Sequence, residues 1–491
     1  MKISNNLKRM SLSILATTAL LLAAIIYHWH INDVNKGQGQ GQEPLSATVT
    51  ANNPVPVKAT ISTYNVKSFG ATGNGKANDT RAIQKAIDYV TAAKGVLYFP
   101  KGTYLIDGNA NVTVKSNMKL LGDGVAKTTI KAFGKSFSRT LITLSGSNIQ
   151  ASQLSFDGNN IVNQIIAVKE GSKNITIMRS SVGNATHRAD WDVFHDAPVT
   201  AGIIVYGNSD SIKLDTLDIH DIQAALWIDG SLISRGIYMT TNADKPQEKV
   251  ATHVSITHNY IHDIGPADDG DGIYYEDLGI AEGQGIDTGS IIANNVFENC
   301  AKRAIKLLAQ GITVDSNKII NNYLNDNYYK GSKGGNLAPD MYAGISIYAD
   351  NNVISNNILS GKGSFYAAIE IDSDYKTVNN ITVSNNQILM GEESDQEGKT
   401  ALRIGSVDNF TIASNLLKNG EKGIWTWQNA ANGIIRQNTI NMPNGAGIVL
   451  TTYMKDVFLK DIQITNNSIT ARDDQVQEDN SRSTNIVVQS N

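Results

Sequence analysis

Cysteine, proline and surplus positive charge are all scarce in this chain. Its 491 residues include one cysteine, Cys300, so no disulfide can form within the chain and the fold must rest on packing and hydrogen bonds. Nine prolines against 42 glycines leave few rigid corners and many permissive ones, which suits a fold built from turns. The formal net charge is -4, so no basic field exists to hold a nucleic acid, and that partner is excluded. Apolar residues make up 41% of the chain, enough for a folded core, yet there is only one long apolar run.

That run is "MSLSILATTALLLAAII", Met10 to Ile26, preceded by Lys2, Lys8 and Arg9 and followed by the aromatic cluster Tyr27, His28, Trp29 and His30. A positive end, an apolar stretch just long enough to span a bilayer and interfacial aromatics predict an export signal. No small-x-small cleavage site follows, so residues 1–30 are expected to stay as an inner-membrane anchor. The positive end lies inside, which puts the rest of the protein outside the cytoplasm, periplasmic or at the cell surface. Residues 31–60, rich in Gly, Gln, Thr and Pro, are expected to be a flexible linker.

From about residue 61 the chain keeps returning to one pattern, a short apolar strand opened by Gly or Ala, a polar turn, and a second strand ending near Asn. The openers are "AGIIVY", "AALWID", "DGIYYE", "RAIKLL", "AGISIY", "AAIEID", "TALRIG", "KGIWTW" and "GAGIVL". Each alternates apolar and variable residues, the period of a strand with one buried face. From Ile203 to Leu226, Ile345 to Ile369, Leu402 to Ile424 and Ile424 to Ile448 the spacings are 23, 24, 22 and 24 residues. That is about one coil of a parallel β-helix, in which each coil buries its face by stacking on its neighbours. Asparagines at equivalent turns tolerate the left-handed conformation and can bond along the stack. The fold class expected is all-β, a parallel β-helix.

Such a solenoid needs a cap. In "NDTRAIQKAIDYVTAAKG", Asn78 or Asp79 can start a helix whose apolar face is Ala82, Ile83, Ala86, Ile87 and Val90, with Gly95 as its stop. The expected organisation is therefore cap and first strands over 61–107, β-helix over 108–470, and a polar tail or cap over 471–491.

The stretch "TYNVKSFGATGNGKANDTRAIQKAI" followed by "GVLYFPKGTYLI" resembles the N-terminal signature of the pectate-lyase-like right-handed parallel β-helix superfamily, with its rhamnogalacturonase-type hydrolases, mannuronan epimerases and tailspike-type depolymerases. The resemblance implies a right-handed helix and a polysaccharide substrate; likeness to tailspikes implies a homotrimer. The catalytic motifs of the subfamilies do not carry over. Asp268-Asp269 and "RAIK" are loose echoes of polygalacturonases, whose Gly-His-Gly is missing, and the epimerases' Asp-Pro-His-Glu is missing too.

With the openers aligned, residues beside each buried position point outward. One outward column reads Ile204, Trp227, Tyr274, Lys306, Ser346, Glu370, Arg403, Trp425; the next includes Asp229, Glu276, Tyr348 and Asp372. Trp227, Tyr274, Tyr348 and Trp425 offer flat faces to sugar rings, and Arg303, Lys306 and Arg403 can pair with acidic sugars. The long intervals between coils supply loops that could wall a cleft. Asp229 and Glu276 would stand on neighbouring coils, with Asp271 as the alternative second acid. Like charges that close split their pKa values and supply the acid and base of glycoside hydrolysis.

The leading expectation is thus a glycosidase of an acidic exopolysaccharide, with Asp229, Asp271 and Glu276 catalytic and Trp227, Tyr274, Arg303, Lys306, Tyr348, Glu370, Asp372 and Arg403 binding substrate. The alternatives are a lyase or C5-epimerase, with Arg303 or Lys306 neutralising a uronate and Tyr274 or Lys306 moving the proton, and a non-catalytic carbohydrate-binding surface protein. No metal ligand set is expected; Ca²⁺ would enter only with lyase chemistry. The repeated "HDI", His220-Asp221 and His262-Asp263, suits structural turns, and "HRADWDVFHD", residues 187–196, is a second candidate cluster in a loop.

Overall fold

A computed structural model describes residues 61–489 apart from 135–139, 188–198, 225, 228–229, 232, 243, 246, 266–269, 322–327, 331–336, 340–342, 362–366, 374–375, 391–398, 452–455 and 480. The expectations for residues 1–60 lie outside this range. Among the described residues no helix is long and apolar enough to cross a membrane.

Thirteen strands stack in coil order into one parallel sheet: β1 (Val112–Lys115), β2 (Thr140–Ser145), β3 (Gln164–Val168), β4 (Thr200–Tyr206), β5 (Ser234–Thr240), β6 (Gly270–Glu276), β7 (Arg303–Leu308), β8 (Ala343–Ile347), β9 (Ala367–Ile371), β10 (Thr400–Ile404), β11 (Lys422–Thr426), β12 (Ala446–Leu450) and β13 (Val476–Glu478). A 27-stranded sheet forms the remaining walls of the parallel β-helix. The column Ile203, Ile237, Ile273, Ile305, Ile345, Ile369, Leu402, Ile424 and Ile448 is in register from coil to coil and fully buried. It belongs to a single core that runs the length of the stack.

One opener is corrected. "AALWID" does not join the stack: Leu226–Trp227 pairs antiparallel with Gly230–Ser231 in a small hairpin. The coil strand is "SRGIYMT", β5, which pairs with β4 on one side and β6 on the other. Alternation alone suits both segments. In β5, Gly236 turns toward the core at a tight corner, where a Cβ would sit 2.5 Å from the Gly272 carbonyl oxygen. Gly202, Gly272 and Gly447 meet the same constraint, which is why the openers start with a small residue.

The asparagines do form a ladder. Asn294, Asn356 and Asn385 take the left-handed conformation, and the residues after them, Asn295, Asn357 and Asn386, turn inward and are buried. The buried row runs Asn259, Asn295, Asn317, Asn357, Asn386, Asn415, Asn438, Asn467, each side-chain amide donating to the next side-chain oxygen at 2.9–3.0 Å. Each oxygen also accepts from the preceding backbone amide, as Asn386 Oδ1 does from Asn357 N at 2.9 Å. Replacing Asn386 with Ala strands the backbone N–H of Asn357 in the core, while its Nδ2 keeps the Val314 and Ser355 carbonyls. A loss of about 1–3 kcal/mol is expected, read as a lower urea midpoint at unchanged slope.

At the N-terminal end, α1 (Thr80–Ala93) buries Ile83, Ala86, Ile87 and Val90 against the first coil. Asp79 is its N-cap by position, but its carboxylate accepts from Thr72 and Gly73, tying the preceding loop down. Lys94, not Gly95, supplies the left-handed stop. Residues 471–491, expected as a tail or cap, add β13 and Ser483–Gln489, which pairs with Leu459–Thr465 as a last partial coil.

Candidate functional site on the outer face of the thirteen-stranded sheet

From β4 to β12 the outward column beside the buried isoleucines reads Ile204, Tyr238, Tyr274, Lys306, Ser346, Glu370, Arg403, Trp425 and Val449. This is the expected column with one change, Tyr238 in the place given to Trp227. The expected pairing of Asp229 with Glu276 falls with it. Glu276 is flanked on its strand's two sides by β5 and β7, with Leu308 its partner in β7 and the Thr240 hydroxyl 3.0 Å from its carboxylate. The side chains of Asp229 and Trp227 lie outside the described residues. So do most of the loop residues expected to wall a cleft, and all of the "HRADWDVFHD" cluster except His187, a buried strand residue.

A third outward row, at the corner of the coils, brings Arg235, Asp271 and Arg303 into register. Asp271 was expected to be an accessible acid. It is fully buried, with Arg235 Nη1 at 3.1 Å and Arg303 Nη1 at 3.7 Å. Two guanidiniums around one carboxylate hold it as a fixed counter-charge, so it is removed from the candidate acids. Glu370 is clamped in the same way: Arg403 Nη2 bonds one oxygen, and the Ser346 and Tyr348 hydroxyls bond the other, with Arg303 Nε at 3.9 Å. Arg303 therefore links the two clamps, and donates to Ser346 Oγ at 3.0 Å as well. Arg235 is missing from the sequence reading; its signal is the "RGIYM" pattern, which matches "DGIYY" and "RAIKL" residue for residue.

Burial by itself would push the Glu370 carboxyl up, but Arg403 and Arg303, with the two hydroxyls, outweigh it and leave the pKa below the usual value. A carboxyl depressed in the folded state contributes stability that is complete above its unfolded value, about 4.3, and is lost as pH falls through the folded value. The stability gap between the wild type and Glu370→Gln is therefore expected to narrow as urea titrations move below about pH 4.

Glu276 is held differently. Its carboxylate accepts from the Tyr238 hydroxyl and from Thr240 Oγ1, and among the described residues no arginine forms an ion pair with it. Tyr238 and Tyr274 stack at 5.6 Å between centroids, and Lys306 Nζ stands 4.4 Å over the Tyr274 ring and 5.8 Å from that of Tyr348. Burial first, and the Glu276 charge second, push the pKa of both Tyr238 and Tyr274 well above the ordinary range. Both phenols thus stay protonated at neutral pH. Further along the face, Arg403 packs at 4.7 Å on the Trp427 ring, and Lys422 at 5.0 Å on that of Trp425. Asp372 lies at the end of the β9 coil, its amide bonded to the Ile347 carbonyl.

Asp277, the last acid of "DGDGIYYED", faces away from this set. It accepts from Gly279 N and Ile286 N, and burial raises its pKa, so it is a cap for the following turn. Among the described residues no group of three or more His, Cys, Asp or Glu is placed to hold a metal ion.

Mannuronan C5-epimerase AlgE2 of Azotobacter vinelandii is 45% identical over 71 residues, 13% of this chain and 7% of that protein. Alginate lyase 7 of the same organism is 44% identical over 71 residues, 13% of this chain and 8% of that protein. The chain thus spans under a tenth of these curated relatives. Among solved structures, the surface adhesin PfbA of Streptococcus pneumoniae shares the fold, with a TM-score of 0.56 and 17% identity over 81% of this chain and 93% of that one. A model of the family described as rhamnogalacturonase A/epimerase, pectate lyase-like matches residues 63–332, more than half of the sequence, and the chain belongs to that family.

Proposed function

We propose that the protein is a carbohydrate-active enzyme that takes an anionic polysaccharide along the outer face of β5–β11 and moves the proton beside a uronate carboxylate, as lyases and C5-epimerases do. The observation that carries this is the contrast among the carboxylates. Asp271 and Glu370 are fixed between arginines, whereas Glu276 sits with two protonated phenols and the Lys306 ammonium. That set suits a uronate. Lys306 offsets the sugar carboxylate, Glu276 accepts the proton at C5, and Tyr274 or Tyr238 donates one. Donation to the glycosidic oxygen breaks the C4–O bond and leaves a C4–C5 double bond; donation to the opposite face of C5 inverts the sugar. Trp427, partly exposed and backed by the buried Trp425, adds a flat surface for a neighbouring ring.

The short matches to an epimerase and an alginate lyase support the substrate class. A polysaccharide substrate and the charged-then-apolar first thirty residues support a place outside the cytoplasm.

The test is digestion of uronate-containing and neutral polysaccharides in D₂O. Either deuterium at C5, the outcome of epimerisation, or the ultraviolet band of an unsaturated end, the outcome of elimination, is the expected result. New reducing ends with neither sign would overturn it in favour of the glycosidase reading. Lys306→Ala is expected to raise KM about tenfold or more on the uronate polymer, since the ammonium meets the charge already present in the ground state.

A further inference from the structure

The "HDI" repeat lies on another wall of the solenoid. There Lys173–His187 and Asp210–Ala224 run parallel, with Val182, Ile219 and Ile261 in the core. Their alternates point outward in two columns, Ser155, Ser181, Asp218, Tyr260 and Asp157, Gly183, His220, His262. The two histidines stack at 5.5 Å, yet their nitrogens are used differently. His262 places both on carboxylates, Nδ1 2.7 Å from Asp263 and Nε2 3.1 Å from Asp218. It is a strut between two acids. His220 places Nδ1 2.7 Å from Asp221 Oδ2, but Nε2 3.1 Å from the Ser181 hydroxyl.

Two local features build this contact. Asp221 is left-handed, φ 52°, which turns its carboxylate back onto the neighbouring ring. Gly183 leaves the space the ring needs: a Cβ there would lie 2.4 Å from Cε1 and 2.6 Å from Nε2 of His220. With Nδ1–H donating to Asp221, the Nε2 lone pair faces the Ser181 O–H. That is the relation of nucleophile, base and orienting acid found on unrelated folds.

We propose that Ser181, His220 and Asp221 hydrolyse small acyl esters, acetyl groups on sugar hydroxyls being the class that fits. Ser181 Oγ attacks the ester carbonyl and its proton passes to His220 Nε2. The bond from the acyl carbon to the sugar oxygen breaks, and that oxygen leaves with the proton from Nε2. Water then attacks the acyl-serine, gives a proton to Nε2, and the acid departs as Ser181 regains it. Ser181 is 9% exposed, and the His220 and Asp221 side chains are 23% and 47% exposed, so the nucleophile lies under partly open partners, a setting that suits a small acyl group rather than a long one. Ester hydrolysis stands apart from the uronate chemistry; only the sugar carrier rests on that reading.

The experiment treats the full chain with a fluorophosphonate and follows p-nitrophenyl acetate hydrolysis. Covalent label on Ser181 is expected, with loss of label in Ser181→Ala and a fall of about 10²-fold in hydrolysis in Ser181→Ala and His220→Gln. Asp221→Asn is expected to lower kcat at similar KM. No label on Ser181, or undiminished hydrolysis in a folded His220→Gln protein, overturns the site. Acetate release from an acetylated uronate polymer is measured beside its ultraviolet band. Cleavage of the nitrophenyl ester without acetate release overturns the sugar carrier, and the band bears on the uronate reading alone.

Discussion

Glu276→Gln is expected to lower turnover about 10²–10⁴-fold while leaving the fold and KM nearly unchanged. The amide keeps an oxygen that can accept from Tyr238 and Thr240, so the bonds that position the side chain survive. What it loses is the capacity to take a proton. Uniform binding by Lys306 and Trp427 is untouched, which separates this variant from Lys306→Ala, expected to act mainly on KM. Initial rates on the uronate polymer, with thermal melts of both variants, check the split. Unchanged turnover in a folded Glu276→Gln protein would remove the site from the outer face of β6.

Glu370→Ala is expected to have the largest effect on stability, a loss of about 3–5 kcal/mol in urea denaturation. The substitution leaves Arg403 facing a buried space without this counter-charge, leaves Arg303 with Asp271 alone, and removes the acceptor of the Ser346 and Tyr348 hydroxyls. Most of that loss is the penalty of an uncompensated charge, not the net worth of the ion pair. Replacing Arg403 by Met in the same protein should therefore recover part of it. If the double variant is no more stable than Glu370→Ala, the Arg403 charge is not the cause.

These two outcomes show how far pattern reading reaches. In the "DGDGIYYED" stretch, alternation correctly places Ile273 and Tyr275 in the main core and Tyr274 and Glu276 on the opposite side of the strand, where Tyr274 is nonetheless buried in a second apolar cluster. It also sets Arg303 beside Asp271. Period-two alternation is a local property, and the stack repeats it. The reading failed one coil earlier, where "AALWID" and "SRGIYMT" satisfy the same pattern. Choosing wrongly put Trp227 and Asp229 where Tyr238 and Thr240 stand, and hid Arg235. Only the pairing in space decides between them: β5 is in register with β4 and β6, and Leu226–Trp227 folds into its own hairpin.

The sequence by itself determined the parallel β-helix, its helical cap, its asparagine ladder and the outward column from β6 onward, because each follows from residue spacing and turn chemistry repeated along the chain. The tertiary structure alone decided what the outward charges do. Asp271, Glu370 and Glu276 are indistinguishable as acids on outward positions; two become counter-ions and one is left with phenols, because arginines from other coils, 32 to 67 residues away in sequence, reach the first two and, among the described residues, not the third. A carboxylate's role depends on which charges surround it in space, and a stack of coils sets those neighbours by register, not by distance along the chain.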